Sequence, residues 1–161
     1  MMIQIDSREK ARAITKIISE FDKHGIQHFV SKLPVGDYMS FDNPRLIIDR
    51  KQNLAELCGN VCQQHKRFTD ELKRANEYGI RLIILCEHGG NIKQLSDVQN
   101  WVNPRLIKSP MAVSGERLYK ILYCIGQKYN VDFIFCTKAQ TGKRIIETLG
   151  GENVGQVGVS E

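Results

Sequence analysis

The hydrophobic positions of this chain switch repeatedly between the spacing of a strand and the spacing of a helix. Ile3 and Ile5 alternate with Gln4 and Asp6, which predicts a short first strand. From Glu9 to His24, Ala11, Ile14, Ile17, Ile18 and Phe21 recur at helical spacing, and Gly25 closes that helix. His28 to Leu33 reads as a second strand, and Leu33-Pro34-Val35-Gly36 as a turn with Pro at its second position and Gly at its fourth. Tyr38 to Phe41 and Arg45 to Lys51 are predicted strands joined by the turn Asp42-Asn43-Pro44. Leu54, Leu57, Val61, Phe68, Leu72 and Ala75 then mark one face of a single long helix, which Gly79 ends. Arg81 to Cys86 is nearly all apolar, as a central strand covered on both faces would be. Gly89 to Pro110 has weak periodicity and reads as a loop with one short helix. Ser114 caps a helix running to about Tyr129, Val131 to Cys136 is a buried strand, and Ala139 to Leu149 is a last helix.

That order predicts an α/β sandwich, a mixed central sheet with helices on both faces. The chain of 161 residues suits one core. The expected organisation is one domain over 1–149 and a flexible, Gly-rich tail over 150–161. No apolar run approaches the length of a membrane span. The N-terminus has no basic stretch followed by a long apolar core, so no signal peptide is expected, and the chain reads as cytoplasmic or nucleoid-associated.

A net charge of +5 fits a polyanionic partner but equally fits solvated helix faces. The basic residues cluster at His65-Lys66-Arg67, at Lys73-Arg74, from Arg105 to Lys108 and from Lys138 to Arg144. The five cysteines, Cys58, Cys62, Cys86, Cys124 and Cys136, are odd in number and lack zinc-ribbon spacing, so free and mostly buried thiols are expected.

Candidate chemistry lies in the hairpin. Gly36-Asp37 opens one strand and Asp49-Arg50-Lys51 closes the next. Strand side chains alternate, so Asp49 and Lys51 share a face and Arg50 points to the other. In a hairpin centred on Asn43, position 37 lies opposite position 49, with Cβ atoms about 5 Å apart. Two carboxylates at that distance repel unless a cation lies between them. Metal-assisted phosphodiester hydrolysis requires such a kit: two carboxylates for a hard cation and a lysine for the water or the phosphate. The bland alternative is an Asp in a turn and a charged strand end, and a register slip of one residue would destroy the pairing.

Three segments in order carry a resemblance. Ile5-Asp6-Ser7-Arg8-Glu9, Leu33-Pro34-Val35-Gly36-Asp37-Tyr38 and Ile47-Ile48-Asp49-Arg50-Lys51 resemble the XPF-type nuclease domain of structure-specific endonucleases, and Leu85-Cys86-Glu87 resembles that family's buried strand ending in Glu. The resemblance implies a restriction-endonuclease-like fold and a Mg2+-dependent (or Mn2+-dependent) DNA endonuclease. Asp37 and Asp49 would be metal ligands, Asp6 a further acidic ligand or the holder of a metal-bound water, Lys51 the catalytic lysine, and Arg50, Arg8 and Glu9 supporting groups near the phosphate or bracing the site. Glu56 stands near the family's downstream acid, displaced by one residue. The family's Glu-Arg-Lys is Asp-Arg-Lys here, and the family's helix-hairpin-helix module is not expected after Leu149. The compact form is similar to small members found in phages and bacteria.

DNA is the expected partner, with Lys66, Arg67, Lys73 and Arg74 holding the backbone and Lys138 and Lys143 too distant to matter. His65 reads either as a half-buried histidine bonded to a nearby carbonyl or as a residue at the lip of the site. Trp101 and Pro104 to Lys108 read either as packing or as a clamp on a strand. No small-molecule cofactor is expected. A homodimer seam through Leu118 to Ile125 and Ile145 to Leu149 stands beside the reading of those residues as core. The alternative function is a DNA-binding scaffold that keeps the nuclease fold without catalysis.

Overall fold

A computed structural model of the chain describes residues 1–151, so the expected tail lies outside the described residues except for Gly150 and Gly151. The elements are β1 (Met2–Ile5), α1 (Thr15–Lys23), β2 (Gln27–Val30), β3 (Tyr38–Ser40), β4 (Asn43–Lys51), α2 (Leu54–Cys62), α3 (His65–Glu77), β5 (Arg81–Glu87), α4 (Gly115–Tyr129), β6 (Asp132–Cys136) and α5 (Thr141–Leu149). The strands form one sheet in the order β2-β1-β3-β4-β5-β6. β3 runs antiparallel to β1 and β4, whereas β4, β5 and β6 are parallel. This is the expected mixed α/β sheet of the restriction-endonuclease-like type.

Strand alternation divides the core in two. Ile47, Leu82, Ile84, Cys86 and Phe135 face α2, α3 and α4, while Leu46, Ile48, Ile83, Leu85 and Ile134 face α1 and α5. Both faces of β4 and β5 are therefore covered, which is why their sequences are nearly continuous in apolar residues. The same alternation carries Asp49 and Lys51 to the α2/α3 side of β4 and Arg50 to the α1/α5 side.

The hairpin departs from its predicted shape at the tip and agrees with it at the base. Tyr38 pairs with Ile48 and Met39 with Ile47, so one further step sets Asp37 opposite Asp49. Beyond Met39 the register shifts and Ser40 pairs with Asn43. Asn43 and Pro44 thus belong to β4, and the turn is Phe41-Asp42. A bulge is where a strand tolerates proline, because the missing N–H costs no ladder bond.

The long helix predicted over Leu54 to Ala75 is two helices. Cys62 to Arg67 contains no fully buried residue, and the amides of Gln63 and Gln64 both donate to the Gly59 carbonyl as the chain turns. The apolar spacing from Val61 to Phe68 is seven residues, which one straight helix or two angled ones satisfy equally. Leu118, Leu122 and Ile125 are buried in the first core and Ile145 and Leu149 in the second, so these five residues pack inside the chain. No helix among the described residues is long and apolar enough to cross a membrane.

Gly36 places Asp37. Its φ is +68°, and a Cβ there would lie 2.5 Å from Ile47 Cγ2 and 3.1 Å from the Ile48 carbonyl. Gly36→Ala therefore combines left-handed strain with overpacking against β4 and is expected to cost about 2 kcal/mol or more. A thermal melt checks this; an unchanged midpoint would mean that the turn does not depend on glycine.

Candidate active site

The C-terminal end of β4 presents a buried Asp49 and, two residues on, Lys51. Lys51 Nζ lies 3.2 Å from Asp49 Oδ2 and 5.9 Å from the centre of the Phe68 ring. Burial works against the lysine's charge, but Asp49 outweighs it and holds Lys51 above its ordinary range. Asp37 reaches the same place from the turn before β3, and its Oδ2 accepts the Arg50 N–H at 2.7 Å. Burial, with the charge of Asp49 beside it, pushes Asp37 up to about 9.

Two observations bear on a cation here. Asp49 Oδ2 is buried without an aligned hydrogen bond, its contact with Lys51 being an ion pair only. The Asp37 carboxyl, in turn, is raised by burial and by the charge of Asp49 beside it, the mark of two carboxylates sharing one place. Two hard oxygen donors of this kind fit Mg2+ or Mn2+. Among the described residues, no three His, Cys, Asp or Glu side chains converge to hold a metal. The protein's share would be these two carboxylates, leaving positions for water and phosphate.

Asp6 is not brought to this pair as a free ligand. It is fully buried, its Oδ1 accepts the Leu33 N–H at 2.7 Å, and its Oδ2 accepts the Arg8 N–H at 3.0 Å and Arg8 Nε at 2.6 Å. Burial alone would raise its pKa, yet these bonds hold it below the ordinary value. The residue ties the end of β1 to the start of the hairpin turn. Arg8 itself is exposed at the rim, where it feels the charges of Asp37 and Glu71.

Arg50 does not reach a phosphate at the acid pair either. Its side chain is buried on the opposite face of β4. Nε and Nη2 bond Glu9 at 2.8 Å and 3.2 Å, and Nη1 bonds Glu87. Tyr38 Oη donates to Glu9 at 2.6 Å and Thr141 Oγ1 to Glu87 at 2.6 Å. Burial disfavours the guanidinium charge, but the Glu9 and Glu87 bonds dominate and raise its pKa. Glu9 and Glu87, the acids of the first and last resembling segments, are thus the two jaws of a clamp on Arg50.

The rim on the acid-pair side is a small cleft of about 140 Å³, with Lys51, Glu56, Asn60, Arg67 and Glu71 among its lining residues. The break between α2 and α3 turns Arg67 and Glu71 back towards β4. Glu56 Oε2 accepts the Gln52 N–H at 3.1 Å, so the displaced acid closes the start of α2. Glu71, absent from the sequence reading, is half-buried, accepts the Gly36 N–H at 3.4 Å and is raised by burial and by Asp49. Its one signal was position, one turn after Arg67 on the same helical stripe. Arg74 follows on that stripe. Lys66 and Lys73 lie on the next one, with Lys66 paired to Asp70 at 2.9 Å. His65 faces away, towards a groove against α4, and bonds the Val61 carbonyl at 3.1 Å.

The ERCC4 domain model matches residues 5–149. The chain belongs to the ERCC4 domain family. Two solved structures of XPF from Aeropyrum pernix are similar to it. One has a TM-score of 0.66 at 18% identity over 97% of this chain and 65% of that one. The other, in complex with DNA, has a TM-score of 0.65 at 18% identity over 96% and 66%. The chain thus spans about 65% of the length of the first. No curated protein matches. The resemblance to XPF-type nuclease domains that the three segments carry is borne out.

In this ERCC4 domain the five thiols are free; Cys58, Cys86 and Cys136 are buried, Cys62 is half-buried and Cys124 is exposed. Trp101 is buried and edge-on to His88, hence packing, while Ile107 in the following turn is 89% exposed.

Arg50→Ala would leave Glu9 and Glu87 buried without their cation. Breaking such a pair costs about 3–5 kcal/mol, which urea unfolding would read; a loss under about 1 kcal/mol would show the clamp to be incidental. Asp37 carries the opposite sign. Its folded pKa lies above its unfolded value, so the fold binds the proton that the unfolded chain releases, and metal-free stability falls as pH rises from about 4 towards 9. Asp37→Asn should therefore melt higher than the parent in EDTA, by a margin that grows over that range. An equal margin at pH 5 and pH 8 would remove the charge conflict from Asp37.

Proposed function

We propose that this ERCC4 domain is a Mg2+- or Mn2+-dependent endonuclease that hydrolyses phosphodiester bonds in DNA, with branched or flap structures as its preferred class of substrate. The observation that carries the reading is the convergence of Asp37, Asp49 and Lys51 at one strand end, with a buried Asp49 oxygen left without a hydrogen bond. A scaffold that had lost catalysis would have no use for an acid pair that destabilises its own fold. XPF from Aeropyrum pernix has been seen in complex with DNA, and kinship with it supports DNA as the substrate here. The reading extends to a role in DNA repair or recombination, in the cytoplasm or at the nucleoid.

Asp37 and Asp49 would hold the cation, which when bound supplies polarisation of the phosphate and acidification of a water. The chain's own residues do the rest. Arg50 contributes through its backbone, whose N–H fixes the Asp37 carboxylate in place. Lys51 stays protonated beside Asp49 and can offset charge that builds on the phosphate oxygens. Phe68 packs under the lysine and limits where its ammonium can move. Arg67, in the cleft, and Arg8, which feels the charges of Asp37 and Glu71, would hold flanking phosphates. Lys66, Lys73 and Arg74 extend that basic surface along α3.

The test is cleavage of duplex, fork, flap and single-stranded DNA with and without Mg2+. Asp49→Asn should abolish cleavage and Mn2+ binding together. Lys51→Ala should lower the rate about 100-fold or more while calorimetric Mn2+ affinity is retained. Turnover by Asp49→Asn at the parental rate would remove it from the ligand set, and parental activity in EDTA would overturn the metal reading.

A further inference from the structure

The strand end that carries the acid pair has a second cleft on its other side. On the α1/α5 face lies a cavity of about 530 Å³ lined in part by Arg12, Lys16, Arg50, Gln52, Glu87 and Lys138. Gln52 directly follows Lys51, so the two clefts are separated by little more than the thickness of β4. The floor of the second cleft is spent internally: Arg50 and Glu87 hold each other, and Thr141 takes the remaining Glu87 oxygen. Its walls are different. Arg12 comes from the turn before α1, Lys16 from the first turn of α1 and Lys138 from the turn that follows β6. All three are exposed, and none forms an ion pair among the described residues.

Three separate segments thus line one open trough with unpaired cations. The floor is too well bonded to receive a small buried anion, whereas long, solvated side chains along an open trough suit a run of phosphates. Continuity with the acid pair comes from the segment between β1 and α1. Arg8 feels Asp37 at one end of it, and Arg12 reaches the second cleft at the other.

We propose that Arg12, Lys16 and Lys138 form a second nucleic-acid contact, a trough that holds the phosphate backbone after the strand has crossed the C-terminal end of β4 from the acid pair. The inference rests on the nuclease reading and deepens it: the substrate is gripped on both faces of the sheet. It also reverses the expectation that Lys138 lies too far away to matter, because β6 delivers that residue to the same C-terminal end of the parallel strands as Lys51.

Fluorescence anisotropy with a labelled duplex tests this in the full chain carrying Asp49→Asn, so that cleavage does not intervene. Arg12→Glu, Lys16→Glu and Lys138→Glu together should weaken binding at low salt by about tenfold or more and flatten the slope of log affinity against log salt by about 2–3, since each lost phosphate contact removes roughly 0.9. Lys128→Glu on α4, equally exposed, is the control and should change neither. Shortening the duplex on one side of the cleavage position should weaken the parent and leave the triple variant unaffected. Matching melting curves establish that the variants fold. The trough is overturned if the triple variant keeps parental affinity and slope, if it weakens no more than the control, or if it responds to duplex length as the parent does. Arg67→Glu separates the two readings. Loss of binding by Arg67→Glu while the triple variant keeps parental affinity sinks the trough and keeps the nuclease, and a parent that binds no DNA at any salt sinks both.

Discussion

The guanidinium of Arg50, held between Glu9 and Glu87 inside the fold, is the constraint on which the geometry of the site depends. A buried cation requires compensating charges, and here they arrive from the segment after β1 and from the end of β5. Strands on both sides of β4 are thereby tied to one residue of it. A one-residue slip of β4 would swing Arg50 into the apolar core under α2 and expose Asp49 on the wrong face, at a cost far above the energy of any single hydrogen bond. The backbone N–H of the same residue holds the Asp37 carboxylate. One residue therefore sets the register with its side chain and positions a candidate ligand with its main chain.

The two faces of β4 treat charge in opposite ways. Behind the strand, each carboxylate has found a guanidinium, a hydroxyl or both, and the cluster is closed. In front, Asp37 and Asp49 are packed together with one lysine between them and Glu71, and an Asp49 oxygen is left without a hydrogen bond. The stable side fixes the strand, and the strand holds the unstable side in place. That is the pattern of a pre-organised site: repulsion in the free protein is retained because the surrounding structure over-determines it.

The parts that were legible in the sequence are those governed by period and register. Alternation along Ile47-Ile48-Asp49-Arg50-Lys51 separated Arg50 from its neighbours, and counting across the hairpin set Asp37 against Asp49. That count held at the base despite the bulge, because the extra residues of β4 are absorbed beyond Met39. What stayed hidden depended on direction in space. The break at Gln63-Gln64 conserves the apolar spacing and so leaves no mark on it, yet it decides that Arg67 and Glu71 look at β4 while His65 looks at α4. Asp6 has the residue type of a ligand, but a local turn to Arg8 and a bond from Leu33 use its oxygens. Lys138 stands far from Lys51 along the chain and near it in the fold, since β4, β5 and β6 are parallel and end together.

That common end explains how the charges divide the work. At its centre the acids outnumber Lys51, so the local field attracts a cation and repels phosphate. At the rim Arg8 and Arg67 reverse the sign, as Arg12, Lys16 and Lys138 do beyond the strand end. A polyanion approaching alone is drawn to the rim and turned away from the centre. Were a divalent cation to neutralise the acid pair, as the nuclease reading requires, the same path would become attractive throughout. On the nuclease reading, metal and DNA therefore bind with positive coupling, and linkage requires that the factor by which the metal tightens DNA equals the factor by which DNA tightens the metal. The coupling is set by the close approach of Asp37 and Asp49. It therefore traces back to the buried arginine that holds their strand in register.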